Sequence, residues 1–301
     1  MSTGSVSFYI TSKFRFAKRM IRHRLEGQSR SCPYCGPSSP VRFLQRKKFI
    51  MDILVCERCR LVYRWPVDTP QEHDVHYHDE YAVDAPQIVL PGSEELRSLT
   101  RSNFVGSALD LNPKIRVLKS LRATGRVLDF GCSWGYGIFQ LRQHGYDAVG
   151  FEISKPRAKY ARKELALVVI DSLDELNSLP AGSFDIIFSN HVLEHILPIG
   201  DALASLTRLL TTDGIAFHVL PNFTGRNARA GMWLNWIGED HPIAPTIEFF
   251  KGAFPRAGLQ SPQFGSSPFD ENTIASLAET SENAIPADGD ELLVVARNWG
   301  A

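Results

Sequence analysis

The sequence predicts an α/β protein in which a mainly parallel sheet, covered by helices on both faces, follows a small cysteine-built ribbon. Three observations carry that prediction. From residue 126 onward, strand-like and helix-like stretches alternate, the rhythm that parallel strands with crossover helices require. The first of these strands runs into a glycine-containing turn, "GCSWGYG", and then a helix. Well ahead of it, four of the five cysteines fall in two pairs.

Composition narrows the class. The 301 residues suffice for one large domain and a small one. With 44% apolar and 22% charged residues the chain matches an ordinary soluble globular protein. Lys plus Arg, 33, balance Asp plus Glu, 33, so no overall field favours nucleic acid or an anionic membrane. No apolar run approaches the roughly eighteen residues of a membrane helix. The N-terminus lacks the apolar core and cleavage signature of a secretory signal, so a cytoplasmic location is expected.

Residues 1–30 form a basic N-terminal tail. From Lys13 to Arg30 it carries seven Lys or Arg and one acid, interleaved with Phe14, Phe16, Met20 and Ile21. A solvated, partly disordered tail is the first expectation. A short surface helix making weak contact with a membrane or an anionic partner is the second.

Residues 31–85 read as the ribbon module. "CPYCG" supplies Cys32 and Cys35, "VCERC" supplies Cys56 and Cys59, and the spacing is C-x2-C-x20-C-x2-C. Two tight turns that each offer two thiolates make the tetrahedral sulfur cage zinc prefers, and four thiolates leave no open position for water. A structural Zn2+ is therefore expected, holding a segment too small to bury a core of its own. The intervening "VRFLQRKKFIMDILV" alternates as a hairpin strand does. Just beyond, "EHDVHYHDEY" gathers His73, His76 and His78, which read as a solvated loop before a helix start and not as a second metal cage. Residues 86–122 are the expected helical connector to a main domain at 123–301.

In the main domain "RVLDF" reads as a buried strand and "IFQLRQHG" as the helix after its turn. "DAVGFEI" is a second strand and "KPRAKYARKEL" a helix; "ALVVID" is a third strand and "SFDIIFSN" a fourth. "PIGDALASLTRLL" is helical and "GIAFHVL" a fifth strand. Right-handed crossovers place a ligand crevice at the carboxyl ends of these strands, near the reversal of strand order. A dinucleotide fingerprint would want G-x-G-x-x-G, but Gly131 is followed by Ser133 and Tyr136 at the later positions, which disfavours NAD.

These motifs resemble the class I S-adenosylmethionine-dependent methyltransferases. "VLDFGCSWGYG" is similar to their first motif, an acid ending the first strand and then a glycine-rich turn. Glu152 closes the second strand in "VGFEIS", Asp171 follows the third in "VVIDSLDEL", and "LPAGSFDIIFSNHVLEHI" is similar to the fourth-strand motif. The resemblance covers residues 123–221 and extends more loosely to the C-terminus. It implies the Rossmann-like fold of that class, a mostly parallel seven-stranded sheet, with S-adenosyl-L-methionine as cofactor. Gly131, Ser133 and Gly135 would let the backbone approach the methionyl portion closely, provided Ser133 avoids the left-handed region. Asp129 would sit near the cofactor's ammonium group, Glu152 would accept hydrogen bonds from both ribose hydroxyls, and Asp171 would contact adenine.

The string "SNHVLEHI" contains H-x-x-E-H, a zinc-peptidase pattern, in His191, Glu194 and His195. Its place directly after the fourth strand argues otherwise. A peptidase needs a third ligand and an open aqueous site, and nothing in the sequence downstream announces them. Asn190 and His191 are expected to line the cofactor pocket, and His195 to be a packed structural histidine.

Acceptor contacts are expected from residues 222–246, an insertion after the fifth strand with Arg226, Arg229, Trp233, Trp236 and His241. His241 follows Glu239 and Asp240, which would raise its pKa and orient it; it is the candidate general base for an acceptor proton, and a histidine that anchors the loop is the other reading. The paired-cysteine ribbon resembles the N-terminal part of nucleotide-sugar C-methyltransferases, which implies a sugar or other small biosynthetic intermediate as the acceptor. Two alternatives stand beside it. One is a ribosomal-RNA methyltransferase docking through its zinc module, against which the balanced charge and the lack of an "NPPY"-type tetrad argue. The other is a non-catalytic binding protein on the same fold, against which the acids at 129, 152 and 171 argue.

Overall fold

The computed structural model describes residues 3–75, 89–225, 231–278 and 288–299. His76, His78, Arg226 and Arg229 lie outside the described residues, as does the side chain of Trp233.

The main sheet has seven strands. In chain order they are β4 (Arg126–Phe130), β5 (Asp147–Phe151), β6 (Val169–Ile170), β7 (Phe184–Asn190), β8 (Leu210–Pro221), β10 (Leu259–Ser266) and β11 (Glu291–Asn298). Their spatial order is β10-β11-β8-β7-β4-β5-β6. β8, β7, β4, β5 and β6 are mutually parallel, and β11 runs antiparallel between β8 and β10. The mostly parallel seven-stranded Rossmann-like sheet expected from the motifs is therefore present. Both faces are buried. Val127, Ile186, Phe188, Phe217 and Val295 pack on one side, and Leu128, Ile187, Ala216, Leu220 and Val294 on the other. Alternate residues of one strand serve opposite cores, which is why these strands read as unbroken apolar runs. The strand order reverses at β4, whose successor β5 lies on one side and β7 on the other, so the crevice opens at their carboxyl ends.

The N-terminal sheet has four strands in the order β1-β2-β3-β9. β1 (Val41–Lys47), β2 (Met51–Cys56) and β3 (Val62–Trp65) form the expected ribbon, but β9 (Ile243–Ala244) comes from the insertion after β8. The insertion is thus stitched into the ribbon. Their apolar side chains are also continuous: Ile53, Leu54, Tyr63, Ile243, Phe249, Leu128 and Ile187 belong to one buried cluster. The ribbon is packed on a face of the main domain rather than held beside it.

The basic N-terminus departs from the solvated tail expected of its composition. Thr3–Leu25 is one helix, α1, that buries Phe16 and Met20 against Met51 of the ribbon. Its cations are neutralised by acids of the ribbon and insertion: Lys13 by Glu239, Arg19 by Asp68, Arg22 by Glu72, and Arg24 and Arg30 by Asp52. Asp52 is fully buried, so these cations offset the cost of its desolvation. The charge that suggested an anionic partner is spent inside the molecule. Among the described residues, no helix is long and apolar enough to cross a membrane.

Candidate functional site

The turn after β4 is built for close approach. Gly131 has φ +79 and Gly135 φ +91, angles that glycine adopts without steric cost. A Cβ on Gly131 would lie 2.5 Å from Val192, and one on Gly135 2.5 Å from Leu167. The backbone NH groups of Gly131 and Cys132 both donate to the Phe151 carbonyl, at 2.8 and 3.0 Å, tying the turn to the end of β5. Ser133 does not avoid the left-handed region: its φ is +51. Two contacts hold it there. Its NH donates to Glu152 Oε2 at 2.9 Å, and Arg157 donates to its Oγ at 3.1 Å.

Three acids expected at the strand ends occupy different environments. Asp129 is 4% exposed, and no hydrogen-bond donor or cation among the described residues meets its carboxyl group. Burial, with a smaller contribution from the nearby Glu152 charge, raises its pKa from 3.8 to about 7. Glu152 is half-buried and accepts from two backbone NH groups, those of Ser133 and, at 2.7 Å, Ser154. Asp171 is already paired, with Lys155 at 3.0 Å and Arg162 at 2.7 Å. Hydrogen bonding from Arg162 leads the effects that keep it ionised. An adenine amino group would share oxygens that two cations already hold.

At the end of β7, Asn190 and His191 join a network in which Lys114 and Glu291 had no signal in the sequence. Lys114, 8% exposed, donates to Asn190 Oδ1 at 2.7 Å and to Glu291 Oε1 at 2.5 Å. His191, at φ +56, places Nε2 2.7 Å from the same Glu291 oxygen. Burial opposes the charge on His191, but hydrogen bonds to Glu194 and Glu291 outweigh it and push its pKa up to about 9. Glu291, conversely, is drawn down to about 2 against its own burial by His191 and Lys114. Glu291 begins β11 and lies opposite Pro221 of β8. Only the antiparallel pairing of a distant strand brings it here, so no local motif could have announced it.

The H-x-x-E-H string does not set two imidazoles on one helical face. Leu193–His195 is a single 3-10 turn, and His191 turns toward Glu291. His195 is packed and hydrogen-bonded, as expected of a structural histidine, with Nδ1 2.6 Å from the Asp240 carbonyl. Its ring lies 4.7 Å from that of His241, centroid to centroid. The orientation expected for His241 from Glu239 and Asp240 is not the one found. Glu239 pairs with Lys13 at 2.9 Å, and His241 is held by Nδ1 against the Trp236 carbonyl at 3.1 Å. Glu194, fully buried, lies with its carboxylate within 4.8 Å of a ring nitrogen of each of these histidines and 3.4 Å from His191 Nδ1, the contact that helps to keep His191 protonated.

The cysteines of the ribbon come together. Cys32, Cys35, Cys56 and Cys59 have sulfur atoms all within 4.8 Å of one another, and none is in a disulfide. Cys32 and Cys59 are 3.6 Å apart. Tetrahedral Zn–S bonds of about 2.3 Å would set sulfurs roughly 3.8 Å apart, so the four thiols fit a zinc ion with little movement.

The chain is similar, at 17% identity and a TM-score of 0.49, to the crystal structure of a SAM-dependent methyltransferase from Archaeoglobus fulgidus, over 68% of this chain and 100% of that one. It is similar, at 15% identity and a TM-score of 0.48, to a SAM-dependent methyltransferase from Thermotoga maritima described as a possible histamine N-methyltransferase, over 68% of this chain and 95% of that one. The CurJ carbon methyltransferase is similar at 16% identity and a TM-score of 0.48, over 74% of this chain and 61% of that one. No curated protein sequence matches. Residues 108–261 match the methyltransferase domain model, and this span takes in the glycine-containing turn, Asp129, Glu152, Asp171 and the end of β7: the chain belongs to the methyltransferase domain family.

Proposed function

We propose that the protein transfers a methyl group from S-adenosylmethionine to a small acceptor bound beneath the 222–246 insertion. Asp129 is the observation that carries the reading. A carboxyl group buried at the end of β4, with no cation beside it, fits the cofactor's ammonium group. Glu152, at the next strand end, accepts from the backbone NH groups of Ser133 and Ser154, and a carboxylate at that position suits two adjacent ribose hydroxyls as donors. The tight Gly131–Gly135 turn leaves backbone, not side chains, facing the methionyl portion. S-adenosylmethionine supplies an activated methyl group for in-line displacement, so the chain's own task is chiefly to position donor and acceptor. Within this reading His241 serves the acceptor and not the cofactor.

The acceptor we propose is a sugar or another small biosynthetic intermediate. The four-cysteine ribbon supports it, with a structural zinc held by Cys32, Cys35, Cys56 and Cys59. Against RNA, Lys13, Arg19, Arg22 and Arg24 of α1 are engaged in ion pairs, which depletes the basic face such a substrate would need. A screen of sugar nucleotides, small metabolites and structured RNA for S-adenosylmethionine-dependent methyl incorporation tests the proposal. Incorporation into a small acceptor is expected. Incorporation into RNA alone would overturn the acceptor assignment. An enzyme that binds no S-adenosylhomocysteine would overturn the cofactor assignment.

A further inference from the structure

Ser133 stands at a position where glycine would be free of strain. Its φ of +51 lies in the left-handed region, which a residue with a Cβ enters only at a cost. The turn is fixed on both sides of it. The NH groups of Gly131 and Cys132 donate to the Phe151 carbonyl, and that of Gly135 donates to the Cys132 carbonyl at 2.9 Å. Ser133 is the residue between these anchors, and its conformation decides where its own NH points.

That NH points at Glu152. Ser133 donates to Oε2 at 2.9 Å, and the Ser154 NH donates to Oε1 at 2.7 Å. Each carboxylate oxygen is thus held by one backbone NH, and the two come from separate segments. One is the turn after β4; the other is the start of the helix Lys155–Leu165, whose N-cap is Ser154. Hydrogen bonds to a charged acceptor are strong and directional, so the pair sets both the rotation and the tilt of the carboxylate. Arg157, in the first turn of that helix, reaches back to the first segment: its Nη1 donates to Ser133 Oγ at 3.1 Å. Arg157 is 4% exposed, a depth at which arginine seldom occurs unless it is paired. Its contact ties together the two segments that hold Glu152.

We propose that Arg157 is a positioning residue for the cofactor: by holding Ser133 left-handed, it keeps Glu152 aimed at the ribose. The inference rests on the methyltransferase reading above. Without the contact to Oγ, Ser133 relaxes toward negative φ in the unliganded protein and its NH leaves Glu152 Oε2. Binding must then restore the turn and freeze the carboxylate again, an ordering cost that the intact contact removes in advance. The loss falls on recognition of the ribose hydroxyls, because Arg157 acts through Glu152 and not on the rest of the cofactor. Glycine at position 133 adopts the same φ without help. The serine and the buried arginine together do what glycine does alone, so the need for Arg157 should vanish when residue 133 has no Cβ.

Calorimetry of S-adenosylhomocysteine and of its 2′,3′-dideoxy analogue, with the full-length protein, tests the proposal. Arg157→Met and Ser133→Ala remove the donor and the acceptor of the contact. Each is expected to weaken S-adenosylhomocysteine by about tenfold, the scale of a left-handed backbone penalty. The dideoxy analogue, which has no ribose hydroxyls to lose, should bind all three proteins within about twofold. Ser133→Gly should stay within about twofold of wild type, and Arg157→Met added to it should cost nothing further. An arginine that merely supports the fold would not become dispensable through a glycine two segments away. Equal affinity in wild type and both single variants overturns the proposal. So does a loss that persists beside Ser133→Gly, or one that extends to the dideoxy analogue. If Arg157→Met does not fold, position 133 decides alone: alanine has to lose the affinity that glycine keeps. Wild type that binds both ligands equally well overturns the proposal along with the ribose assignment, and wild type that binds neither overturns the methyltransferase reading itself.

Discussion

Cofactor affinity should depend on the proton at Asp129. The group is 4% exposed at the end of β4, and burial with the Glu152 charge holds its pKa at about 7 instead of 3.8. A carboxyl raised in the folded state stabilises the fold only while protonated. The unliganded protein should therefore lose stability as pH rises from 3.8 through about 7, by up to about 4 kcal/mol at 1.4 kcal/mol per unit. A ligand ammonium beside the carboxylate removes that cost, so binding should expel the proton. If binding returns the pKa to the ordinary range, affinity should be nearly flat above pH 8. It should be about tenfold weaker at pH 6 and approach a hundredfold weaker at pH 5, because each unit below the free pKa is about tenfold. Calorimetry of S-adenosylhomocysteine at pH 6 and pH 8, in two buffers of different ionisation heat, reads both quantities. Close to one proton should be released at pH 6 and almost none at pH 8. Asp129→Asn should bind more weakly and without that slope. A wild-type affinity that is constant from pH 5.5 to 8, or an Asp129→Asn variant with the same slope, would refute the reasoning.

Three further outcomes follow from single contacts. Glu152→Ala should weaken S-adenosylhomocysteine by about one to four powers of ten, since charged hydrogen bonds contribute about 1.5–3 kcal/mol each. Glu152→Gln should lose less, and equal binding by all three proteins would misplace the ribose. Gly131→Ala forces a Cβ to 2.5 Å from Val192 at φ +79. It should cost about 2–4 kcal/mol in urea unfolding, of which adding Val192→Ala restores part; no restoration would mean that φ alone sets the cost. Elemental analysis should find about one tightly held zinc per chain with wild-type cysteines. Cys56→Ser should lose it and lower the melting temperature of the whole chain, because the ribbon and main sheet share one buried cluster. Two separate melting transitions would show the modules to be independent.

What was legible in the sequence was local. The apolar run "RVLDF" marks β4 because its residues alternate between two buried faces, and periodicity registers burial directly. The C-x2-C pairs were readable because each lies within one short turn, and the fold brings their four sulfurs within 4.8 Å of one another. Asp129 and Glu152 were readable because strand ends follow from strands. Ser133 was misjudged because its left-handed φ depends on Glu152, nineteen residues away, as acceptor for its NH. The N-terminal helix was misjudged for a related reason: composition counts Arg19, Arg22, Arg24 and Arg30 as free charge, and only the fold supplies Asp68, Glu72 and Asp52 to spend it on. Glu291 and Lys114 carried no signal at all, since strand pairing and a docked helix create their contacts.

The ribbon's role follows from the same long-range contacts. Its strand β3 pairs with β9, so the insertion continues the ribbon sheet, and Ile243 lies two residues after His241. Arg64 of β3, fully buried, donates its backbone NH to the Pro242 carbonyl and its side chain to that of Gly238. The loop bearing His241 is thereby gripped on both sides of the histidine by one ribbon strand. A zinc ion that stiffens the ribbon would then fix the position of an acceptor-side residue while touching neither substrate. On this view metal loss acts on the acceptor through displacement of His241. Cys56→Ser, assayed below its melting temperature, should lose turnover by more than tenfold and keep S-adenosylhomocysteine affinity within about twofold, because a misplacement of about 1 Å is sufficient for such a loss. Parallel loss of cofactor affinity would instead mean that the ribbon supports the strand ends themselves, and unchanged turnover would mean that β9 holds His241 without it.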